Sequence, residues 1–554
     1  MFILRYIGPF LKINCLSKKN IENQLFHLGK EGEKLIVLYS KFGVSTYTRE
    51  FKHKIIPNND ISTFTPFSPL LCVYKKGDCE LESSDNRLSW QDEKFKKEIP
   101  ISSNAYMTLG LLELSNYYRA LETVHSEKSN LSSIYTSLAQ KQLEFYATNL
   151  RNFEGVFIDK KNVSDSSSSN LEFEEKSAKF KFSDQALLMA AFYRCSQLCN
   201  HKDAIQFKNF SFDILNMLRD YKDSLYDLSS DEISKTCLAL NIFYDYTRDE
   251  SSLSLLLDLN DYLSENMDSE SDDDIDTRCL SCINSMLIYR NTGLLNYKED
   301  SHKAFNKIKK TYDPENQMFI KDGDKKEIDY TSEEILLYLA STLVSSDEDD
   351  NSNMISNIFK HQIIESGIIG SWPDVPNLGN PERYENFSLR SEDLLDEQNF
   401  KMPSIPTPEA SEVAPVFLKS ITYNKKKNTF DKSKNSFYST QNMFLFFLFI
   451  YLFKPSYNIE LLRNAKGKSN KNKSDLADNQ NEKIENINTE NNKNTSVDKH
   501  NSKKNKYDKK DEKIEVVNKD YIKSNDEDKH KNKKDAYNEK TTNIIKEKSK
   551  DTHN

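Results

Sequence analysis

Glycine is scarce in this chain, 13 among 554 residues, and the few present form neither G-x-x-x-x-G-K-[ST] nor G-x-G-x-x-G. Phosphate-cradling loops of those kinds are therefore excluded. G-x-S-x-G is missing as well, which removes the usual nucleophile elbow of serine hydrolases. Long apolar runs are also lacking. The longest, Met443 to Phe453, falls well short of the roughly 20 residues that cross about 30 Å of hydrocarbon. It reads as a buried helix, and no membrane partner is expected. The amino-terminal Met1-Phe2-Ile3-Leu4-Arg5 has neither the basic region nor the apolar core of a signal peptide, so the expectation is a cytoplasmic protein. Surplus positive charge is absent too. The net formal charge is −9, and an acidic body disfavours nucleic acid as a partner.

Eight cysteines leave two accounts open. Cys195-x3-Cys199 and Cys279-x2-Cys282 lie in apolar helical runs, where such spacings put both thiols on one face. Four thiolates across two hairpins would suit zinc; alternatively they are small buried hydrophobes on inner helices. No Gly-bearing knuckle and no paired histidines accompany them, so no metal and no cofactor is expected.

What the chain does have is a recurring phrase: an apolar residue, two from Ser, Thr or Asp, then a strongly apolar run. It appears at Ile101-Ser102-Ser103, Phe182-Ser183-Asp184, Leu228-Ser229-Ser230, Ile275-Asp276-Thr277, Tyr330-Thr331-Ser332 and Tyr438-Ser439-Thr440, with a looser copy at Phe387-Ser388. Such side chains accept hydrogen bonds from the free N–H groups of a helix's first turn. Ser229 with Glu232, and Thr331 with Glu334, also have the capping-box spacing. The runs that follow are apolar nearly all round, as in helices enclosed on every side. Tyr135 to Leu150, Ile205 to Arg219 and Leu253 to Leu263 instead alternate polar and apolar residues, as outer helices do. Gly155-Val156-Phe157-Ile158-Asp159, Met318-Phe319, Gly370-Ser371-Trp372-Pro373-Asp374 and Thr429-Phe430-Asp431 suggest short hairpins between an outer helix and the next inner one. Before residue 101, Lys34 to Tyr39 and Pro69 to Tyr74 read as strands and Tyr74 to Cys79 as a hairpin turn.

The expected architecture is mainly α. It comprises a small β-rich region over residues 1–100, a closed array of helical hairpins over 101–462, and a tail over 463–554. The tail is almost wholly Lys, Asn, Asp, Glu and Ser. With so little apolar surface, it is expected to be disordered. This pattern resembles the (α/α) toroid shared by six-hairpin glycosidases and the N-acylglucosamine 2-epimerase group. The resemblance implies a pocket on the rim where the inner helices begin, and a sugar or glycan as ligand. Epimerases of that group would be expected to use histidines for proton transfer. His27, His53, His125, His201, His302 and His361 all lie outside the cap phrases, a departure from that chemistry. No Cys-His dipeptide is present for a lanthionine-cyclase type of zinc site.

Glycoside hydrolysis needs two carboxylates, one protonated and one ionised. The long loop from Gly370 to Pro415 holds the leading pair, Asp374 and Glu392, with Asp159 and Asp184 in reserve. Trp372 could stack on a sugar face, with Arg383 and Tyr384 beside it for substrate binding. The alternative function is a non-catalytic helical scaffold, or degenerate toroid, that binds a protein partner; acids after caps also follow from the helix dipole alone.

Overall fold

The protein is described by a computed structural model over residues 16–46, 67–84, 87–122, 130–164, 170–199, 201–267, 275–321, 325–345, 351–373, 413–432 and 435–455. Its helices in chain order are α1 (Lys18–Tyr39), α2 (Ile101–Glu122), α3 (Asn130–Asn149), α4 (Phe182–Leu198), α5 (His201–Asp220), α6 (Lys222–Leu225), α7 (Ser230–Thr247), α8 (Glu250–Met267), α9 (Ile275–Thr292), α10 (Leu295–Lys309), α11 (Ser332–Ser345), α12 (Ser352–Ile358) and α13 (Ser439–Phe453). A π-helical stretch, Phe359–Glu365, continues α12.

The six cap phrases open α2, α4, α7, α9, α11 and α13. These helices touch in sequence, and α13 packs back on α2, so the inner ring closes. Against them lie α3, α5, α8, α10 and α12, each beside the inner helix that precedes it. The sixth outer helix is α1, which packs along α13. Among the described residues the hairpins therefore number six, and the last pairs the first and last of the described helices. Among the described residues no helix is long and apolar enough to cross a membrane. The apolar run of α13 is consumed inside the ring, with Met443 to Ile450 buried between α1, α2 and α11.

The reading of Lys34 to Tyr39 as a strand is corrected here: these residues form the last turns of α1. A short apolar run cannot by itself distinguish strand from buried helix. Here the helix is set by Ser17, whose Oγ accepts from the Asn20 N–H at 3.2 Å, and by Ile21, Leu25 and Leu28 on the same buried side. Gly29 and Gly32 let α1 approach α13. A Cβ on Gly32 would lie 2.4 Å from the Phe446 ring, and one on Gly29 would lie 2.9 Å from the Phe446 carbonyl.

Short antiparallel strands decorate the ring. In chain order they are β1 (Gly43–Ser45), β2 (Leu70–Val73), β3 (Lys76–Asp78), β4 (Leu81–Ser84), β5 (Arg87–Trp90), β6 (Glu98–Ile99), β7 (Lys160–Asn162), β8 (Phe173–Glu175), β9 (Tyr312–Asp313), β10 (Met318–Phe319), β11 (Glu327–Thr331), β12 (Ser420–Asn424), β13 (Thr429–Lys432) and β14 (Ser436–Tyr438). They form the sheets β1–β2, β4–β5, β9–β10, β3–β14, β6–β7–β8 and β11–β12–β13. The stretch Tyr74 to Cys79 is not a hairpin turn. It contains β3, which pairs with β14 in the register Gly77↔Phe437. Gly77 serves close approach, since a Cβ there would meet the Phe437 ring at 2.8 Å.

One device recurs where the inner helices begin. The Asn442 amide, in the first turn of α13, accepts from the Phe417 N–H at 2.8 Å and donates to the Phe417 carbonyl at 3.0 Å. Gln185 in α4 does the same for Phe157, at 3.0 and 2.9 Å, and Asn104 in α2 for Val73, at 2.8 and 3.3 Å. Each amide satisfies both backbone groups of one buried extended residue and so fixes the segment packed against the helix start.

Candidate active site

Because every inner helix begins with its cap phrase, the second and third residues of these helices converge on one rim. On α4 the third residue is Asp184, only 5% exposed. It makes no hydrogen bond or ion pair with any described residue. Burial, with the charge of Asp159 adding to it, pushes its carboxyl up to about 8. The two reserve residues, Asp184 and Asp159, thus lie within electrostatic reach of each other. Asp159 has a structural duty as well, because its Oδ1 accepts from the Ile101 N–H at 2.9 Å and caps α2.

On α7 the second and third residues are Asp231 and Glu232. Ser229 caps the helix as its spacing predicts, accepting from the Glu232 N–H at 3.3 Å. Glu232 does not close the capping box, however. Its side chain reaches across to α4 and accepts from both Ser183 N–H (3.1 Å) and Ser183 Oγ (3.0 Å), tying the N-termini of α4 and α7 together. Asp231 is ion-paired with Lys235, one turn on, at 2.8 Å. Burial pulls the Lys235 ammonium down, but the charges of Asp231, Glu333 and Asp276 outweigh it and leave the group above its ordinary value.

From α11 comes Glu333, raised by burial against the pull of Lys235. Its neighbour Glu334 completes the box expected with Thr331: Thr331 N–H donates to Glu334 Oε2 at 2.7 Å, and Glu334 N–H donates to Thr331 Oγ1 at 3.1 Å. At the hub of these acids sits Tyr106 of α2. Burial raises its phenol strongly, and Asp184, Glu333, Asp231 and Glu232 all add to that rise. Its ring rests on Phe444 and Phe447, with centroids 5.1 and 5.6 Å away. Its hydroxyl is buried without a hydrogen-bond partner.

At the opposite end of the ring the far ends of α2, α4, α7 and α13 are tied together. Glu113 of α2 receives Arg194 Nε at 3.0 Å, the Tyr246 hydroxyl at 2.8 Å and the Lys454 ammonium. Burial opposes its ionisation, but Lys454 and Arg194 prevail and hold it at about 2.

The fold has counterparts among solved structures. A family 76 α-mannanase from Bacteroides thetaiotaomicron shares 9% identity, with 79% of this chain and 98% of that one covered and a TM-score of 0.37. An endoglucanase from the termite Nasutitermes takasagoensis shares 9%, covering 79% and 99%, at a TM-score of 0.40. A D-mannose isomerase shares 9%, covering 61% and 86%, at 0.39. No family model and no curated protein matches the sequence. At such scores the site has to be judged on its own residues.

Of the residues singled out in the sequence, Asp374, Glu392, Arg383 and Tyr384 lie outside the described residues, as do the looser cap phrase at Phe387 and the tail. Trp372 is described, and it packs. It is half-buried, edge-on to Phe359 at 5.8 Å. Cys195, Cys279 and Cys282 are buried and Cys199 is half-buried, and among the described residues no His, Cys, Asp and Glu are grouped to hold a metal. The sequence reading missed Asp231, Lys235, Glu333 and Tyr106. The signal was present for Asp231 and Glu333, as acids in the same first turn that produced Asp184, and for Lys235 one turn further on. A tyrosine inside a helix buried all round, with no polar stripe to receive its hydroxyl, was the signal for the fourth.

Proposed function

We propose that the rim is the active centre of a carbohydrate-directed enzyme that cleaves glycosidic bonds. One observation carries this reading: Asp184 is a buried, unpartnered carboxyl within electrostatic reach of Glu232 and of Lys235, the partner of Asp231, at the same rim. Glycoside hydrolysis requires a protonated acid and a second carboxylate beside it. In this assignment Asp184 donates its proton to the leaving oxygen. Asp231, ion-paired with Lys235, faces the sugar carbon or the attacking water. Tyr106 forms the floor, its free hydroxyl available to a sugar hydroxyl or to the developing charge. Asp374 and Glu392, outside the described residues, remain proposals as a catalytic pair, with Arg383, Tyr384 and Trp372 as substrate contacts. In this reading the domain limits 101–462 and the tail from 463 stand as proposed, with α1 added to the ring.

The test is reducing-sugar release from a panel of oligosaccharides, set beside hydrolysis of the corresponding 4-nitrophenyl glycosides. Removing a general acid lowers turnover by about 10²–10⁴ where the leaving group needs a proton. Asp184→Asn should therefore cripple oligosaccharide cleavage and spare the nitrophenyl substrate, whose leaving group departs unaided. Equal losses on both would reject Asp184 as the acid. No turnover of any substrate by the wild type would favour the alternative, a scaffold that binds a protein partner.

A further inference from the structure

The rim is not uniformly acidic. On the side where α2 and α13 begin, three lysines converge on a single carboxylate. Glu98 in β6 receives Lys75 at 3.1 Å, Lys96 at 2.9 Å and Lys176 at still closer range. Burial opposes ionisation of Glu98, but hydrogen bonds from Lys176, Lys96 and Lys75 overcome it and hold it at about 2. One lysine would neutralise this glutamate. With Asp159, whose charge also acts on Lys176, three ammonium groups face two carboxylates, a local surplus of positive charge in a chain whose net charge is −9. Next along the rim, the ammonium groups of Lys76 and Lys419 lie 5.7 and 5.5 Å from the ring centre of Tyr438, the N-cap residue of α13. Neither lysine has an acidic partner among the described residues.

This cationic side adjoins the carboxylates through Asp159. The Lys176 N–H donates to the Asp159 carbonyl at 3.0 Å, and the charge of Asp159 acts on both Lys176 and Asp184. The rim thus runs from an ammonium cluster, by way of Asp159, to the candidate acid.

We propose that Lys75, Lys96 and Lys176 form a subsite for an oxyanion carried by the substrate, so that the glycan cleaved at Asp184 bears carboxylate, sulfate or phosphate groups. This rests on the glycosidase reading of the rim and names its substrate class. The ammonium of lysine is a compact point charge suited to any of the three oxyanions, and the source is a matter for experiment.

Calorimetric titration of the full chain at low salt tests it. The ligands are an oligogalacturonate, a sulfated oligosaccharide, a hexose 6-phosphate, neutral mannotetraose and cellotetraose, and inorganic phosphate. One anionic glycan class should bind at concentrations where the neutral sugars and inorganic phosphate do not. Lys75→Gln with Lys176→Gln should weaken that binding at least tenfold. Glu98→Gln should tighten it, because the three lysines then lack their internal anion, whereas a merely structural cluster would show a lower melting temperature and no tightening. Neutral glycans binding as well as charged ones, inorganic phosphate binding equally, or unchanged affinity in the lysine double variant would each overturn the proposal. Turnover of neutral oligosaccharides that depends on Asp184 would leave the glycosidase reading standing while this one falls. Selective anionic-glycan binding without turnover would do the reverse.

Discussion

Asp184→Asn should make the protein more stable, and by an amount that depends on pH. The carboxyl lies near 8 in the folded chain against an ordinary value of 3.8. Between those values the folded state holds a proton that the unfolded state has released. Stability therefore falls as pH rises from about 4 to 8, with a limiting slope of about 1.4 kcal/mol per pH unit, and levels off above. At pH 7 the accumulated cost is at most about 4 kcal/mol. Asparagine does not titrate, but its amide must also be buried in a site that offers no partner, at about 1–3 kcal/mol. The net expected gain at pH 7 is roughly 1–3 kcal/mol, shrinking to nothing or reversing near pH 4.

Urea unfolding of both proteins at half-unit steps from pH 4 to 9 measures this directly. Glu33 and Glu333 are also raised by burial, while Glu98 and Glu113 are lowered. The difference between wild type and variant cancels those shared contributions and isolates Asp184. Parallel stability curves would refute the reasoning. They would mean that the carboxyl is ionised in the folded protein and unsuited to donate a proton at neutral pH. A gain in stability joined to a loss of turnover is the pattern expected when a site is built at the expense of the fold.

Three further perturbations test the architecture. Glu113→Gln leaves Arg194 and Lys454 without their shared counter-ion and should cost about 3–5 kcal/mol in urea unfolding. Because the folded carboxyl is held near 2 rather than 4.5, this contribution is complete above pH 4.5, is lost as pH falls toward 2, and should be missing from the acid limb of the variant. Gly32→Ala drives a methyl into the Phe446 ring and should destabilise by about 1–3 kcal/mol less the roughly 1 kcal/mol that alanine returns to the helix; a net gain would show that α1 does not pack on α13 as described. Asn442→Leu strands the N–H and carbonyl of Phe417 and should cost about 2–4 kcal/mol in the same assay, an outcome that an unchanged midpoint would exclude.

The helix starts were legible because capping is local. Ser229, Thr331 and the related phrases announce an inner helix within four residues, and all six open one. The ring's closure was not legible in the same way. The contact that completes it joins Gly29 and Gly32 to Phe446 across some 400 positions of sequence, and no periodicity reports so distant a partner. Lys34 to Tyr39 was misassigned for the same reason, since these residues end a helix that Gly29 and Gly32 hold against α13. The site shows the same division. Asp184 stood out as an acid in a cap phrase, but Ser229 and Glu232 have the spacing of a capping box whether the glutamate turns back to its own helix or across to Ser183. Only the packing of α4 against α7 decides between them.

Glu113 and Asp184 show what the fold does with a buried acid when it has a choice. Both lie on inner helices and both are almost fully enclosed. Glu113 sits in the second half of α2 and is given a guanidinium, an ammonium and a phenol, which hold it at about 2. Asp184 sits in the first turn of α4, where the helix dipole favours a charged carboxylate by about 0.3–1 kcal/mol, yet it stands at about 8. The dipole therefore does not set the protonation state, and burial does not set it alone; the presence or absence of partners does. Cations lie within reach of the rim, for Lys235 pairs with Asp231 and Lys176 with Glu98, and neither pairs with Asp184. In the proposed reading, a carboxyl left bare amid available lysines is the group from which a proton is handed to a bound sugar.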